Sequence, residues 1–303
     1  MSRRPRRTAL ASVLATAVAA SLVGVSACTG PSGETESTGK PAVMAAFYPL
    51  EYLATRIAGD DLVVIPLTKP GAEPHDVELT PRTIADLPKA LLVVYAKGFQ
   101  PAVDDALAAQ PATAPFDVTQ AARLTPSSSG TTDPHFWLDP VRYADVATAL
   151  AARLASVDPA HAAGYTSRAR VLVAELTALN GQWLTGTRTC QIKDLVTSHA
   201  AFGYLTAAYG FTQVPIAGVS PDAEPSAADL ARVADLVRSA GVTTIYTEPL
   251  VDPKLAATLA SSTGATVATL DPVEGITSTS AGTDYLAVMT ANLAAVRAGQ
   301  RCP

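Results

Sequence analysis

Three histidines carry the chemistry most legible in this chain. They are His75 in Pro74-His75-Asp76, His135 in Asp133-Pro134-His135-Phe136-Trp137, and His199 in Thr197-Ser198-His199-Ala200. The 303-residue chain has only four histidines, so three placed about sixty residues apart are notable. A carboxylate follows at a similar interval, Asp271 in Leu270-Asp271-Pro272. Three imidazoles and one carboxylate can close a four-coordinate shell around a divalent metal. The long spacing excludes a local finger and requires a fold that gathers distant loops. Glu248, in Thr247-Glu248-Pro249, competes with Asp271 for the fourth place. The fourth histidine, His161, reads as a surface residue in a helix's first turn. Trp137 and Tyr204 read as packing residues.

The elements that must position these groups alternate. Ala42–Phe47, Leu62–Leu67 and Leu91–Tyr95 read as buried strands, and Pro49–Ala58, Thr80–Leu87 and Pro101–Ala109 as helices. The second half repeats the rhythm. It has strands at Leu195–Ser198, Val214–Ala217, Thr243–Thr247 and Thr266–Leu270, and helices at Ala201–Tyr209, Ser226–Ala240, Pro253–Ser262 and Tyr285–Arg297. Ser226 is a fitting N-cap. Such alternation predicts an α/β fold of two lobes, each with a mostly parallel sheet flanked by helices. Between the halves, residues 139–184 are Ala/Leu/Arg/Glu-rich and helical, broken at Asp158-Pro159. Asp158 is expected to cap the next helix, with proline in its first turn. From Ala160 to about Leu184 that helix would run ~37 Å and join the lobes as a rigid connector. Ligands of open parallel sheets bind beyond the carboxyl ends of the strands. His75, His199 and Asp271 each follow a strand, and His135 precedes a helix. With two ligands from each half, the site belongs in the cleft between lobes.

The chain's beginning is a leader. Arg3, Arg4, Arg6 and Arg7 precede an apolar run from Thr8 to Val25, and the small residues Ser26 and Ala27 precede Cys28. Residues 1–27 therefore read as a secretory signal peptide. Residues 28–40, polar and Gly/Ser/Thr-rich, read as a flexible tether. The N-terminal lobe is expected over 41–157, the linking helix over 158–186 and the C-terminal lobe over 187–303. Two further cysteines, Cys190 and Cys302, would sit in an oxidising compartment and can bridge. A loop that long stabilises by ~4 kcal/mol in the chain-entropy model. The formal charge is −5. Without the leader's four arginines, 18 basic and 27 acidic side chains remain, near −9. That balance argues against nucleic acid as a partner.

Several segments together resemble a known family. They are Gly71-Ala72-Glu73-Pro74-His75-Asp76, Asp133-Pro134-His135-Phe136-Trp137-Leu138-Asp139-Pro140, Ser198-His199-Ala200-Ala201-Phe202-Gly203-Tyr204, and Ile216-Ala217-Gly218-Val219-Ser220-Pro221 with Glu224-Pro225-Ser226. They occur in order between about Ala42 and Arg297. The set resembles the solute-binding lipoproteins of zinc/manganese ABC importers, the metal-binding cluster A-I group. Val25-Ser26-Ala27-Cys28 resembles a lipobox, which implies lipidation at Cys28 and anchoring to the outer face of the cell membrane. The resemblance implies two α/β lobes joined by one long helix, with metal ligands His75, His135, His199 and Asp271 and an outer-shell role for Glu248. It implies an ABC permease as partner and a monomer that carries metal rather than catalyses a reaction. Histidine at the third position, where manganese-preferring members usually place glutamate, implies zinc, with manganese the alternative. The stretch Pro126–Asp133 is short and lacks the histidine-rich loop that many zinc members carry.

Other readings compete. An exported zinc hydrolase would use three histidines on the metal and Asp271 or Glu248 as general base, but the chain has no His-Glu-x-x-His helix. A metal-dependent adhesin could share the fold. A binder of organic or iron-chelate cargo would not need three histidines facing one cleft.

Overall fold

The computed structural model describes residues 39–124 and 132–303. The expected signal peptide, the lipidation at Cys28, nearly all of the tether and most of the 125–132 stretch lie outside the described residues.

Short β-branched and apolar runs make most of the strands, and longer segments, several of them opened by proline, make the helices between them. In chain order these are β1 (Ala42–Ala45), α1 (Tyr48–Ala58), β2 (Val63–Pro66), α2 (Pro81–Asp86), β3 (Leu92–Tyr95), α3 (Pro101–Ala109), β4 (Pro115–Asp117) and α4 (Thr119–Ala122). Next come α5 (Pro140–Val157) and α6 (Ala162–Thr187). The second half holds β5 (Asp194–Thr197), α7 (Gly203–Tyr209), β6 (Thr212–Pro215), α8 (Ala227–Ser239), β7 (Thr244–Thr247), α9 (Lys254–Thr263), β8 (Thr266–Thr269) and α10 (Tyr285–Gly299). Proline opens α2, α3 and α5, where its missing N–H costs nothing. The Asp139 side chain accepts from Val141 N at the start of α5, and Ser226 Oγ accepts from Asp229 N at the start of α8.

Both sheets have four strands, all parallel, in the same order: β2-β1-β3-β4 and β6-β5-β7-β8. Every connection is thus a crossover through a helix or long loop, and the strand order reverses direction next to β1 in one sheet and β5 in the other. A parallel sheet covered by helices buries both faces of its central strands. Leu92, Val93 and Val94 of β3 are fully buried, as are Leu195 and Val196 of β5.

The linker is α6, 26 residues long and about 39 Å at 1.5 Å per residue. It runs without interruption through Gly181. Asp158 does not cap it. A 3-10 turn at Pro159–His161 intervenes, and the Asp158 carboxylate instead meets His161 Nδ1 at 2.7 Å and the Tyr165 hydroxyl. His161 is exposed, as its sequence position implied. Leu172, Leu176 and Trp183 of α6 are buried, and Trp183 stacks on Tyr209 of α7 with ring centroids 5.0 Å apart. Near its other end, Arg168 donates to the carbonyls of Ile57 and Ala58, closing the end of α1. The Cys190–Cys302 disulfide is formed, across a separation of 112 residues.

Candidate metal centre

Each histidine stands in a segment pinned by hydrogen bonds. His199 follows β5 directly. Its carbonyl accepts from Thr197 Oγ1 at 2.7 Å and from Gln213 Nε2 at 3.0 Å. His75 lies in the loop after β2. Gln100 holds that loop from α3's start by donating to the Pro74 carbonyl at 2.9 Å and to Thr68 Oγ1 at 3.0 Å. The Phe99 ring packs edge-on against the His75 imidazole, centroids 4.7 Å apart. His135 stands before a 3-10 turn, Phe136–Leu138, whose three side chains are fully buried. Asp133 Oδ1 accepts both the His135 backbone N–H, at 2.9 Å, and contact from its Nδ1, at 2.7 Å. Gly203 permits this approach: a Cβ there would come 2.6 Å from Asp133 Oδ2.

These three imidazoles converge. One ligand atom from each of His75, His135, His199 and Glu274 lies within 4.8 Å of all the others. Glu274 Oε1 is 2.8 Å from His135 Nε2, 3.3 Å from His75 Nε2 and 3.6 Å from His199 Nε2. The carboxylate of this cluster is therefore Glu274, three residues beyond the expected Asp271. Asp271 is buried nearby, but its Oδ1 accepts the Val273 N–H at 2.8 Å and the residue does not join the cluster. Glu274 escaped the sequence reading because a turn, not a strand end, delivers it. The signal available was a second acid closely following a strand and preceding a glycine.

The second ring nitrogens of His135 and His199 face carboxylates. Glu248, after β7, brings Oε2 to 2.6 Å from His199 Nδ1, and its Oε1 accepts the His199 N–H at 3.3 Å. The Nδ1 contact is close but off the line of an aligned hydrogen bond, and His199 Nε2 is buried without a hydrogen-bond partner among the described residues. A buried nitrogen left open in this way suits a metal better than a packing role. Carboxylates behind histidines fix the ring orientation and leave Nε2 to the ion. Trp137 packs against this shell and Tyr204 donates to the Asp133 carbonyl at 3.1 Å, so both serve structure.

The electrostatics follow from burial and neighbours. Burial opposes charge on His135 and His199, but Asp133 and Glu274 outweigh it for His135, and Glu248 and Glu274 lift His199 to about 10. For His75 burial wins, and its pKa is lowered. Burial pushes the Glu274 carboxyl upward, yet the three imidazoles hold it well below the usual range. Burial, reinforced by Glu274, raises Glu73 to about 7. His75 is the least buried of the four cluster residues. A cleft of about 440 Å³ is lined by Glu73, Ser198, Asp222, Glu224 and Asp252, with Lys254 and several apolar side chains. Acidic walls favour an approaching cation.

Comparison with known proteins agrees with this geometry. The family profile ZnuA, "zinc-uptake complex component A, periplasmic", matches residues 43–299. The Bacillus subtilis high-affinity zinc uptake system protein ZnuA is 32% identical, covering 92% of this chain and 95% of that protein. The zinc-binding lipoprotein AdcA of Streptococcus pneumoniae is 31% identical over 88% of this chain, which spans 57% of that longer protein. The solved structure of the laminin-binding protein Lmb of Streptococcus agalactiae, described as bifunctional with adhesin and metal-transporting activity, superposes with a TM-score of 0.79. It is 32% identical and covers 86% of this chain and 99% of that one. Two parallel sheets, a long bridging helix and a nitrogen-rich metal cluster between the sheets define a metal-binding solute-binding protein of the ABC-uptake class. Within that class the chain belongs to the ZnuA family of zinc-uptake components.

Proposed function

We propose that this protein captures zinc outside the cytoplasmic membrane and hands it to the permease of an ABC-type uptake system. The carrying observation is the buried His75–His135–His199–Glu274 cluster. In this reading the three Nε2 atoms and the Glu274 carboxylate are the ligands, and Glu248 and Asp133 orient His199 and His135. Four protein ligands match a closed tetrahedral site, whereas a catalytic zinc keeps a position for water. The role is therefore binding and release, with zinc as cargo and no reaction to catalyse. Imidazole-rich ligation favours zinc over manganese, magnesium and calcium, which prefer oxygen.

The lipobox-like Val25-Ser26-Ala27-Cys28 supports anchoring through lipidated Cys28. The lipoprotein among its relatives supports the same placement. A monomer tethered in this way would remain within reach of the permease. Lobes bounded near 41–157 and 187–303, with 158–186 as linker, are a division consistent with the two sheets and α6.

Elemental analysis of protein purified without added metal, followed by zinc–manganese competition, tests the reading. The expected result is one zinc per chain, not displaced by equimolar manganese. His199→Ala should weaken zinc binding at least tenfold by titration calorimetry. Unchanged affinity in that variant would remove His199 from the site, and preferential retention of manganese would overturn zinc as cargo.

A further inference from the structure

The cluster's carboxylate arrives on a strained backbone. Val273, immediately before Glu274, has φ +58°. A β-branched residue in that region is a true outlier, kept only where surroundings over-determine it. Here they do. Asp271 Oδ1 accepts the Val273 N–H at 2.8 Å. Asn292 of α10 donates to the Asp271 carbonyl at 2.7 Å and accepts the Asp271 N–H at 2.9 Å. Trp137, two residues beyond His135, donates its indole N–H to the Pro272 carbonyl at 2.7 Å. The Trp137 carbonyl in turn accepts the Tyr285 hydroxyl at 2.5 Å, again from α10. Asp271 and Asn292 are each 3% exposed, and Trp137 and Val273 are fully buried. The turn is thus clamped from both sides by groups that water cannot replace.

We propose that Asp271, Asn292 and Trp137 are positioning residues: they lock the Asp271–Glu274 turn in its strained form so that the Glu274 carboxylate meets the three imidazoles. Asp271 acts through the backbone and not on the metal. A relaxed, negative-φ Val273 would re-aim the following residue and carry the carboxylate away from the histidines. The clamp also ties the His135 segment to the Glu274 segment through one indole, so both ligands are set by the same contact. The inference rests on the zinc-capture reading above.

The test is zinc competition titration together with the visible spectrum of the cobalt(II)-substituted protein, whose band intensity reports coordination number. Asp271→Ala should lose at least tenfold in zinc affinity and weaken the cobalt bands. Asp271→Asn keeps an oxygen to accept the Val273 N–H, and should restore the affinity to within about threefold of the unaltered protein, with its spectrum. Glu274→Gln should lose more than either. If Asp271→Asn falls as far as Asp271→Ala while the unaltered protein binds zinc, Asp271 ligates and the proposal is overturned. If the unaltered protein takes up no zinc, the capture reading falls with it. Val273→Gly covers the case in which Asp271→Ala does not fold. Glycine accepts φ +58° without cost and removes the strain. Its melting temperature should hold or rise and its zinc affinity stay within twofold of the unaltered protein, because the same turn is kept, whereas Asn292→Ala should lose at least threefold. A tenfold loss in Val273→Gly, or unchanged affinity and cobalt spectrum in Asn292→Ala, would overturn the proposal.

Discussion

His75, His135 and His199 have the same side chain and three different proton affinities, and the difference is written in their neighbours. His199 faces Glu248 and Glu274, and is raised to about 10 against the opposing effect of burial. His135 faces Asp133 and Glu274 and is also raised, whereas His75 is lowered by burial. At neutral pH the metal-free site therefore holds a proton on His199, while His135 keeps its proton to higher pH than a free imidazole and His75 gives its own up earlier. Zinc needs the neutral ring, so binding must expel those protons, and affinity must rise with pH until His199 has lost its own near 10. Titration calorimetry at pH 7 in two buffers of different ionisation enthalpy should report release of between one and two protons per zinc. A proton count of zero would contradict it. These rings were legible in the sequence because histidine is scarce there and each sits outside the regular elements, His199 just after a strand, His135 just before a short helical turn and His75 in a loop. The carboxylate was not. A residue count from β8 points to Asp271, but the left-handed Val273 turns the chain so that Glu274 faces the rings. Nothing about a valine announces a positive φ.

The elements that present these residues owe their stability to burial more than to local preference. α6 illustrates this: its Leu172 and Leu176 are fully buried, yet Val171 and Leu184 on its other faces are exposed. Leu172→Ala should remove about 2–5 kcal/mol of stability, the range for truncating a fully buried leucine. Thermal unfolding of the zinc-free protein checks this, and a melting temperature within a degree of the unaltered chain would place Leu172 outside the core. Strands with consecutive apolar residues, such as Leu92–Tyr95, and helices with proline at the start, such as Pro101–Ala109, could be placed from sequence alone. β4 was missed because Pro115-Phe116-Asp117 is three residues long and opens on proline. As an edge strand pairing only with β3, it tolerates what a central strand would not. Asp158 was misassigned as a cap because its carboxylate has better partners in His161 and Tyr165 than in a backbone N–H.

At the scale of the whole molecule, the shared strand order of the two sheets was invisible in the sequence, since pairing between β1 and β3 or β5 and β7 leaves no local trace. That order separates two functions of the second sheet. Its strands are parallel, so all their carboxyl ends lie together, and there stand His199 and Glu248, with Glu274 beyond β8. The opposite end is tied by the C-terminus. Cys302 bonds Cys190, a few residues before β5 begins, and Gln300 donates to the carbonyls of Ile192 and Asp194 at 3.1 and 2.9 Å. Breaking the bridge should therefore cost stability without reaching the metal. Cys302→Ser is expected to lose about 2–5 kcal/mol, the usual range for a native disulfide. Its zinc affinity should stay within twofold, because the intervening strand remains paired on both sides. Zinc at one hundred times its dissociation constant should then raise stability by about 2.7 kcal/mol in both proteins alike. Unfolding curves with and without zinc for the two chains measure all three quantities. A smaller zinc-induced gain in Cys302→Ser would mean that the strap and the metal centre are coupled through β5, and the separation of the two ends would have to be abandoned.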